Sequence, residues 1–177
     1  MIRHLRNFLR DKRGVSAVEF AMISPLMLTM YFGAIEVSQG ISIDRKVTLT
    51  ARTVTDLASQ ASSINNADMT GLLKASQAII SPYPTDVLKV TVSLITIDAQ
   101  SKATIAWSDT LGGTARAKGA TVTLPGALLI ANSSLVWGEV SYAYKPTIGY
   151  QVTGTINLTD QLYMRPRLSD TIARPVS

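Results

Sequence analysis

The chain predicts an α+β protein: a long N-terminal helix carrying a small antiparallel-sheet domain. Three observations predict it. Residues 20–35 contain no charged side chain, apolar residues recur at helical spacing through about residue 61, and from residue 86 the period changes to two. At 177 residues there is room for one anchor and one modest domain. The boundaries that follow are 1–14, a basic leader; 15–36, a membrane-spanning helix; 37–64, an amphipathic stalk; and 65–177, the α+β domain.

The helix begins after Arg10-Asp11-Lys12-Arg13-Gly14, where Val15-Ser16-Ala17-Val18-Glu19-Phe20 opens the apolar run. Counted from Val15 the run is about twenty residues, the length a helix needs to cross ~30 Å of hydrocarbon. Pro25 lies inside it and is expected to kink the helix by removing one backbone hydrogen bond, which membrane helices tolerate. The pattern then continues through Val37, Ile41, Val47, Val54, Leu57, Ala58 and Ala61 with polar residues between, so residues 15 to about 62 form one helix. Gly40 weakens this run without ending it. The apolar stripe of the second half needs a cover, and the sheet is its natural partner.

A short helix follows over residues 68–80, capped by Asn66 or Asp68 and stopped at Ser81-Pro82. Val90, Val92 and Leu94 alternate with Thr91 and Ser93 in a first strand, with a bulge expected near residues 95–97. Residues 104–108 return as a second strand, 111–119 are a loop, and 125–130 a helical turn. Residues 136–144 make the strongest strand, with Val136, Val140, Tyr142 and Tyr144 on one face. A last strand covers 156–164. Sequential neighbours with short turns favour an antiparallel sheet.

Charge is distributed unevenly. The formal net charge is +5, but residues 1–14 hold Arg3, Arg6, Arg10, Lys12 and Arg13 against Asp11, a net of +4, and the rest only +1. A nucleic-acid-binding face would need its basic residues on the domain, so no nucleic-acid partner is expected. The same asymmetry places the N-terminus in the cytoplasm and residues beyond about 37 outside. No cysteine is present, which excludes disulfides and thiolate zinc sites. The small-residue cleavage site of a secretory signal peptide is not clearly present, Gly33-Ala34 being a feeble candidate with no turn signal after it.

An acid in a membrane helix is costly, so Glu19 reads as functional. Lys12-Arg13-Gly14 followed by Val15-Ser16-Ala17-Val18-Glu19-Phe20 resembles the processing site of type IV pilin-like proteins. The resemblance implies cleavage after Gly14 by an inner-membrane aspartic peptidase, leaving Val15 as the new N-terminus and Glu19 at the fifth mature position. A glycine before the bond lets backbone enter a narrow cleft, and Arg10, Lys12 and Arg13 would hold the site at an anionic leaflet. Two readings of Glu19 stand. It pairs with the freed α-amine of a neighbouring subunit, giving register and a reason to associate, or it snorkels to the headgroups, being about one turn into the helix.

The longer stretch from Asp11 to Leu28, with Glu19 and Pro25 six residues apart, resembles the N-terminal signature of TadE/TadG-like pseudopilins of tight-adherence (Flp) pilus systems. Residues 139–146 and 164–167 look, more loosely, like later strand motifs of that family. Length favours the TadE-like member, and Phe20 stands where the shorter major Flp pilin usually has tyrosine. The resemblance implies a pilin-like, non-enzymatic assembly component of the bacterial inner membrane with a periplasmic domain. Its implied partners are the Tad prepilin peptidase, other Tad pseudopilins and Flp pilin, the inner-membrane assembly platform and the lipid bilayer, with no cofactor and no metal. An uncleaved single-pass scaffold or sensor is the rival, and a membrane-tethered hydrolase a further one.

Other residues carry weaker signals. His4 is the sole histidine and lies in the leader, so a Ser-His-Asp or His-based metal site is not expected in the domain. Asp98 and Asp109 flank the second strand, near enough to consider as a pair, though turn caps are the simpler role. Gly112-Gly113 lacks the Lys-Ser/Thr of a phosphate loop. Asn132-Ser133-Ser134 and Asn157-Leu158-Thr159 fit a glycosylation sequon. Tyr142, Tyr144, Tyr150 and Tyr163 read as core or sheet aromatics, and Arg165 and Arg167 around Pro166 as strand-end charges.

Overall fold

A computed structural model describes residues 14–149 and 153–175. Arg10, Lys12, Arg13, His4 and Tyr150 lie outside the described residues. Helix α1, Val15–Ser59, runs 45 residues through Pro25 and Gly40 without a break. It ends at Ser59, about three residues before the expected limit. Ser63 bridges Ala173 and Ile64 is drawn into the core, so the chain there must be extended. Helix α2, Asn66–Ile80, begins earlier than its sequence suggests, because Asn65 is its cap. Asn65 Oδ1 accepts from Asp68 N (2.9 Å) while Asp68 Oδ2 accepts from Asn65 N (3.1 Å), a reciprocal box that closes two orphan donors. At its other end Lys46 Nζ, from α1, donates to the carbonyls of Ile79 (2.8 Å) and Ser81 (2.6 Å).

Strands β1 (Leu88–Ile97), β2 (Ala103–Leu111), β3 (Ser133–Tyr144) and β4 (Ile156–Met164) form one antiparallel sheet in the order β2-β1-β3-β4. The alternation expected of β3 holds: Val136, Val140, Tyr142 and Tyr144 are all buried under the helices. The β1–β2 ladder shifts between Leu94 and Ile95, so that Leu94 faces Trp107 and Ile95 faces Ile105. The extra residue, Ala106, sends Trp107 to the helical face and Ile105 to the opposite one.

Both faces of the sheet are used. On one, α1 lies over β3 and β4, and α2 beside it. The α1 surface that meets the sheet is Ile43, Val47, Thr50, Ala51, Val54, Thr55, Ala58 and Ser59. That corrects the sequence stripe in part: Val47, Val54 and Ala58 are buried as expected, but Val37, Ile41 and Leu57 are exposed. The reason is proximity: a Cβ on Gly138 of β3 would stand 1.9 Å from Thr55 Oγ1, so only small or compact residues fit there. On the other face, Ile95, Ile97, Ala103, Ile105, Leu124, Leu135 and Trp137 form a second cluster. The loop of residues 112–131 covers it, with a single 3₁₀ turn at Gly126–Leu128 where the sequence suggests a helical turn. Gly112 starts that loop at φ +68, and a Cβ there would press to 2.6 Å from the Leu88 carbonyl oxygen.

The C-terminal segment closes the domain. Ala173 N donates to Ser62 O (3.0 Å), Ile64 N to Ala173 O (2.9 Å), and Trp107 Nε1 to Ile172 O (2.9 Å). Arg167 ties the same segment to α1, through Asp56 (2.5 Å) and the Ser59 carbonyl (2.8 Å).

Candidate assembly and membrane interface

The sheet grips only the second half of α1. No residue from 15 to 42 is buried, and only Ser24, Glu36 and Gly40 are even half-buried. This free half includes Val18, Phe20, Met22, Leu26, Met30 and Tyr31, each more than 60% exposed. Its apolar window has a mean hydropathy of 1.5 and none of it is buried, so by length and composition it can cross a membrane. From Val15 to Ile35 it measures about 31 Å at 1.5 Å per residue, matching the hydrocarbon thickness. Thr29 Oγ1 donates to the Pro25 carbonyl (2.8 Å), one turn after the proline.

Gly14 stands at the helix N-cap with ordinary right-handed backbone angles and no side-chain cap. A Cβ there would meet nothing within 4 Å, so the fold imposes no glycine at this position. Glu19 lies one turn beyond Val15 on the same helix face and is exposed, as is Phe20. Among the described residues Glu19 has no hydrogen-bond or ion-pair partner.

The junction between free and gripped halves is built by Glu36, the first charged residue after the apolar run. Its carboxylate accepts from the backbone N–H groups of Ile148 and Gly149, the latter at 2.8 Å. Its carbonyl accepts from the Tyr144 hydroxyl (3.3 Å). A Cβ on Gly149 would stand 2.9 Å from Glu36 Oε2, and the Tyr144 ring lies 3.5 Å from where a Cβ on Gly40 would be. Burial, with the Glu36 charge adding to it, pushes the Tyr144 hydroxyl above its ordinary pKa. Sequence reasoning passed over Glu36. The available signal was an acid directly closing the apolar run, with a Lys-Pro-x-x-Gly turn after the tyrosine strand.

Two further ion pairs, Arg116–Glu139 and Arg174–Asp109, lie in the domain. Arg116 forms a bidentate pair with Glu139 (Nη2–Oε1 2.9 Å) while its guanidinium sits 3.9 Å above the Trp137 ring. Trp137 stacks on Tyr163 at 5.4 Å and donates to Gln161 Oε1 (3.2 Å). This cluster pins the covering loop to the sheet beside an open polar groove floored by Thr91, Ser141 and Thr159. Asp109 accepts from Arg174 Nε (2.9 Å) and Nη2 (3.0 Å), and Asp98 caps its own turn by accepting from Gln100 N and Lys102 N. The two aspartates therefore do not form a pair: Asp109 lies opposite Val92, at the far end of the ladder from Asp98. Gly112-Gly113 is the turn leaving β2, Asn132 a left-handed turn residue, and Asn157 part of edge strand β4. Arg165 is exposed.

Residues 14–56 match the family model described as TadE-like protein. The match spans Gly14, Glu19, Pro25 and nearly all of α1, and stops before the sheet. No curated protein and no solved structure matches the chain. The match supports a Tad pilus-associated, pseudopilin-type role in general and, with the exposed apolar half of α1, a membrane-anchored component.

Proposed function

From a chain whose first helix is similar to TadE-like proteins, we propose a pseudopilin, or minor pilin-like component, for assembly of a tight-adherence pilus. A Tad prepilin peptidase cuts after Gly14, with Arg10, Lys12 and Arg13 holding the leader at the cytoplasmic leaflet of the bacterial inner membrane. Val15 becomes the N-terminus, and α1 spans the bilayer with a bend at Pro25. The domain stands in the periplasm, and its activity is structural, not enzymatic. Glu19 pairs with the α-amine of a neighbouring Tad subunit, Phe20 packs beside it, and the assembly platform receives the packed helices.

The observation that carries this reading is the division of α1. One half is gripped by the sheet; the other, of bilayer length, is left bare from a glycine that the fold does not require. An acid without a partner among the described residues sits one turn in. A carboxylate in hydrocarbon is tolerated when a countercharge reaches it, and a freed ammonium supplies one.

The test is N-terminal sequencing and intact mass of the protein recovered from a host with its Tad system active. A chain beginning at Val15 supports the proposal, and a retained leader replaces it with the uncleaved anchor. Glu19→Ala should leave cleavage intact and reduce incorporation into pilus assemblies; normal assembly of that variant would remove the pairing role.

A further inference from the structure

The loop that Glu36 holds sits at the level where the span ends. Ile148 and Gly149 hydrogen-bond the side chain of the residue immediately after the charge-free run, so this turn lies at the boundary of the hydrocarbon. Lys145, Thr147 and Ile148 are exposed, Ile148 at 57%. Ile156, exposed as well, begins β4 opposite Tyr144 and therefore lies at the same end of the sheet. Residues 145–149 include no acid.

We infer that the turn of residues 145–149 is a foot that seats the domain on the lipid surface, with Ile148 entering the acyl boundary and Lys145 meeting headgroup phosphate. The inference rests on α1 being the span proposed above. A branched aliphatic side chain and a lysine side by side, with no neighbouring acid, suit the interface between hydrocarbon and anionic headgroups. The carboxylate that faces this turn, Glu36, is engaged by two backbone N–H groups, which offsets the repulsion it would exert on phosphates. The same bonds fix the turn's height on the helix, so the depth of Ile148 follows from the register of the span. Strand β1, about 33 Å long at 3.3 Å per residue, carries the opposite end of the sheet well clear of the membrane.

The chain has no native cysteine, which makes the test direct. Full-length protein carrying Ile148→Cys, Leu28→Cys or Ser101→Cys is labelled with an environment-sensitive fluorophore and reconstituted in phosphatidylethanolamine–phosphatidylglycerol vesicles. Quencher lipids, spin-labelled on the headgroup or the acyl chain, report depth. Position 28 marks the span and position 101, in the β1–β2 turn, the distal end. The label at 148 should emit at shorter wavelength than that at 101 and lose intensity to the headgroup quencher. Adding Glu36→Ala should weaken that quenching. A label at 148 as unquenched as that at 101, while 28 is quenched, overturns the foot and leaves the span standing. Unquenched labels at both 148 and 28 overturn the span and the foot with it. Quenching at 148 that Glu36→Ala leaves unchanged overturns the clamp. Because Ile148 is exposed, its replacement does not touch the core, and Trp107 and Trp137 fluorescence reports folding in every variant.

Discussion

Gly138→Ala probes the contact on which the stalk's grip depends. The new methyl would stand 1.9 Å from Thr55 Oγ1, 3.1 Å from Thr55 Cβ and 3.5 Å from the Ala51 carbonyl. Thr55 is fully buried, and its hydroxyl donates to that same carbonyl at 2.6 Å. Two reliefs are open. Rotating Thr55 breaks the hydrogen bond and strands a buried hydroxyl, at about 1–3 kcal/mol. Moving β3 away from α1 overpacks or loosens the layer, at a similar ~1–3 kcal/mol. The chain takes the cheaper, so the expected loss is about 2 kcal/mol, roughly thirtyfold in the unfolding equilibrium. In a Thr55→Ala background the offending oxygen is gone and only the 3.1 Å contact with Cβ and the 3.5 Å contact with the Ala51 carbonyl remain. There Gly138→Ala should cost less than about 1 kcal/mol, a coupling of roughly 1 kcal/mol or more between the two sites. Urea unfolding of the full-length protein in mild detergent, read through Trp107 and Trp137, measures all four corners of the cycle. Costs that simply add, to within about 0.5 kcal/mol, would refute the crowding argument.

Two further outcomes are expected. Asp109→Asn leaves the Arg174 guanidinium, whose side chain is only 11% exposed, without the carboxylate that raises its pKa through a bidentate bond. Stability should fall by about 1–3 kcal/mol, with faster amide exchange at Ile64 as the C-terminal segment loosens; unchanged exchange there would refute the tie. The hydroxyls of Tyr142, Tyr144 and Tyr163 are raised above about 10, chiefly by burial. The folded chain therefore keeps protons that the unfolded chain surrenders, so their contribution is intact below pH ~10 and lost as pH climbs through the folded values. Urea midpoints that hold steady from about pH 9 to pH 11, with tyrosine ionisation followed by absorbance, would contradict this.

The sheet was legible because alternation is a local property. Strand β4 has the expected limits of 156 and 164, and β3 buries the four residues its period selects. The bulge was legible as a place but not in its effect, since the strand holding the extra residue is decided only by pairing. Hence Trp107 and Ile105, two apart in sequence, on opposite faces. The gripping face of α1 was misread in part because counting apolar residues ignores threonine and serine. At a close approach governed by Gly138, those are the residues that fit. The second core cluster was hidden for a related reason. Its cover is an irregular loop whose Val122, Leu124, Leu128 and Leu129 have no period to read. At the candidate site, Gly14, Glu19 and Pro25 were visible as a spaced motif. Glu36 was not, because its partners are backbone N–H groups more than a hundred residues away.

The two acids bounding the apolar run differ in a way that bears on assembly. Glu36 is satisfied within its own chain: two N–H donors converge on one carboxylate, and the domain is thereby set at a fixed height on the helix. Glu19, about 25 Å away along the helix at 1.5 Å per residue, has no such donors among the described residues. No described residue of the domain buries that end of α1: residues 15–35 are exposed apart from half-buried Ser24. The described residues supply no partner for Glu19, and after the proposed cleavage the candidates are the chain's own Val15 ammonium, lipid headgroups, water or another chain. Headgroups and water would serve a monomer equally well, whereas another chain's ammonium would make packing itself the source of neutralisation. If the second holds, placing a cation one turn away in the same helix should relieve the need for a neighbour. Phe20 is unsuited to that, being on a different face, but Ile23→Lys lies one turn along from Glu19 on the same face. Combined with the native carboxylate, it should lower incorporation into assemblies while leaving cleavage after Gly14 unchanged. Undiminished incorporation would favour headgroup solvation of Glu19.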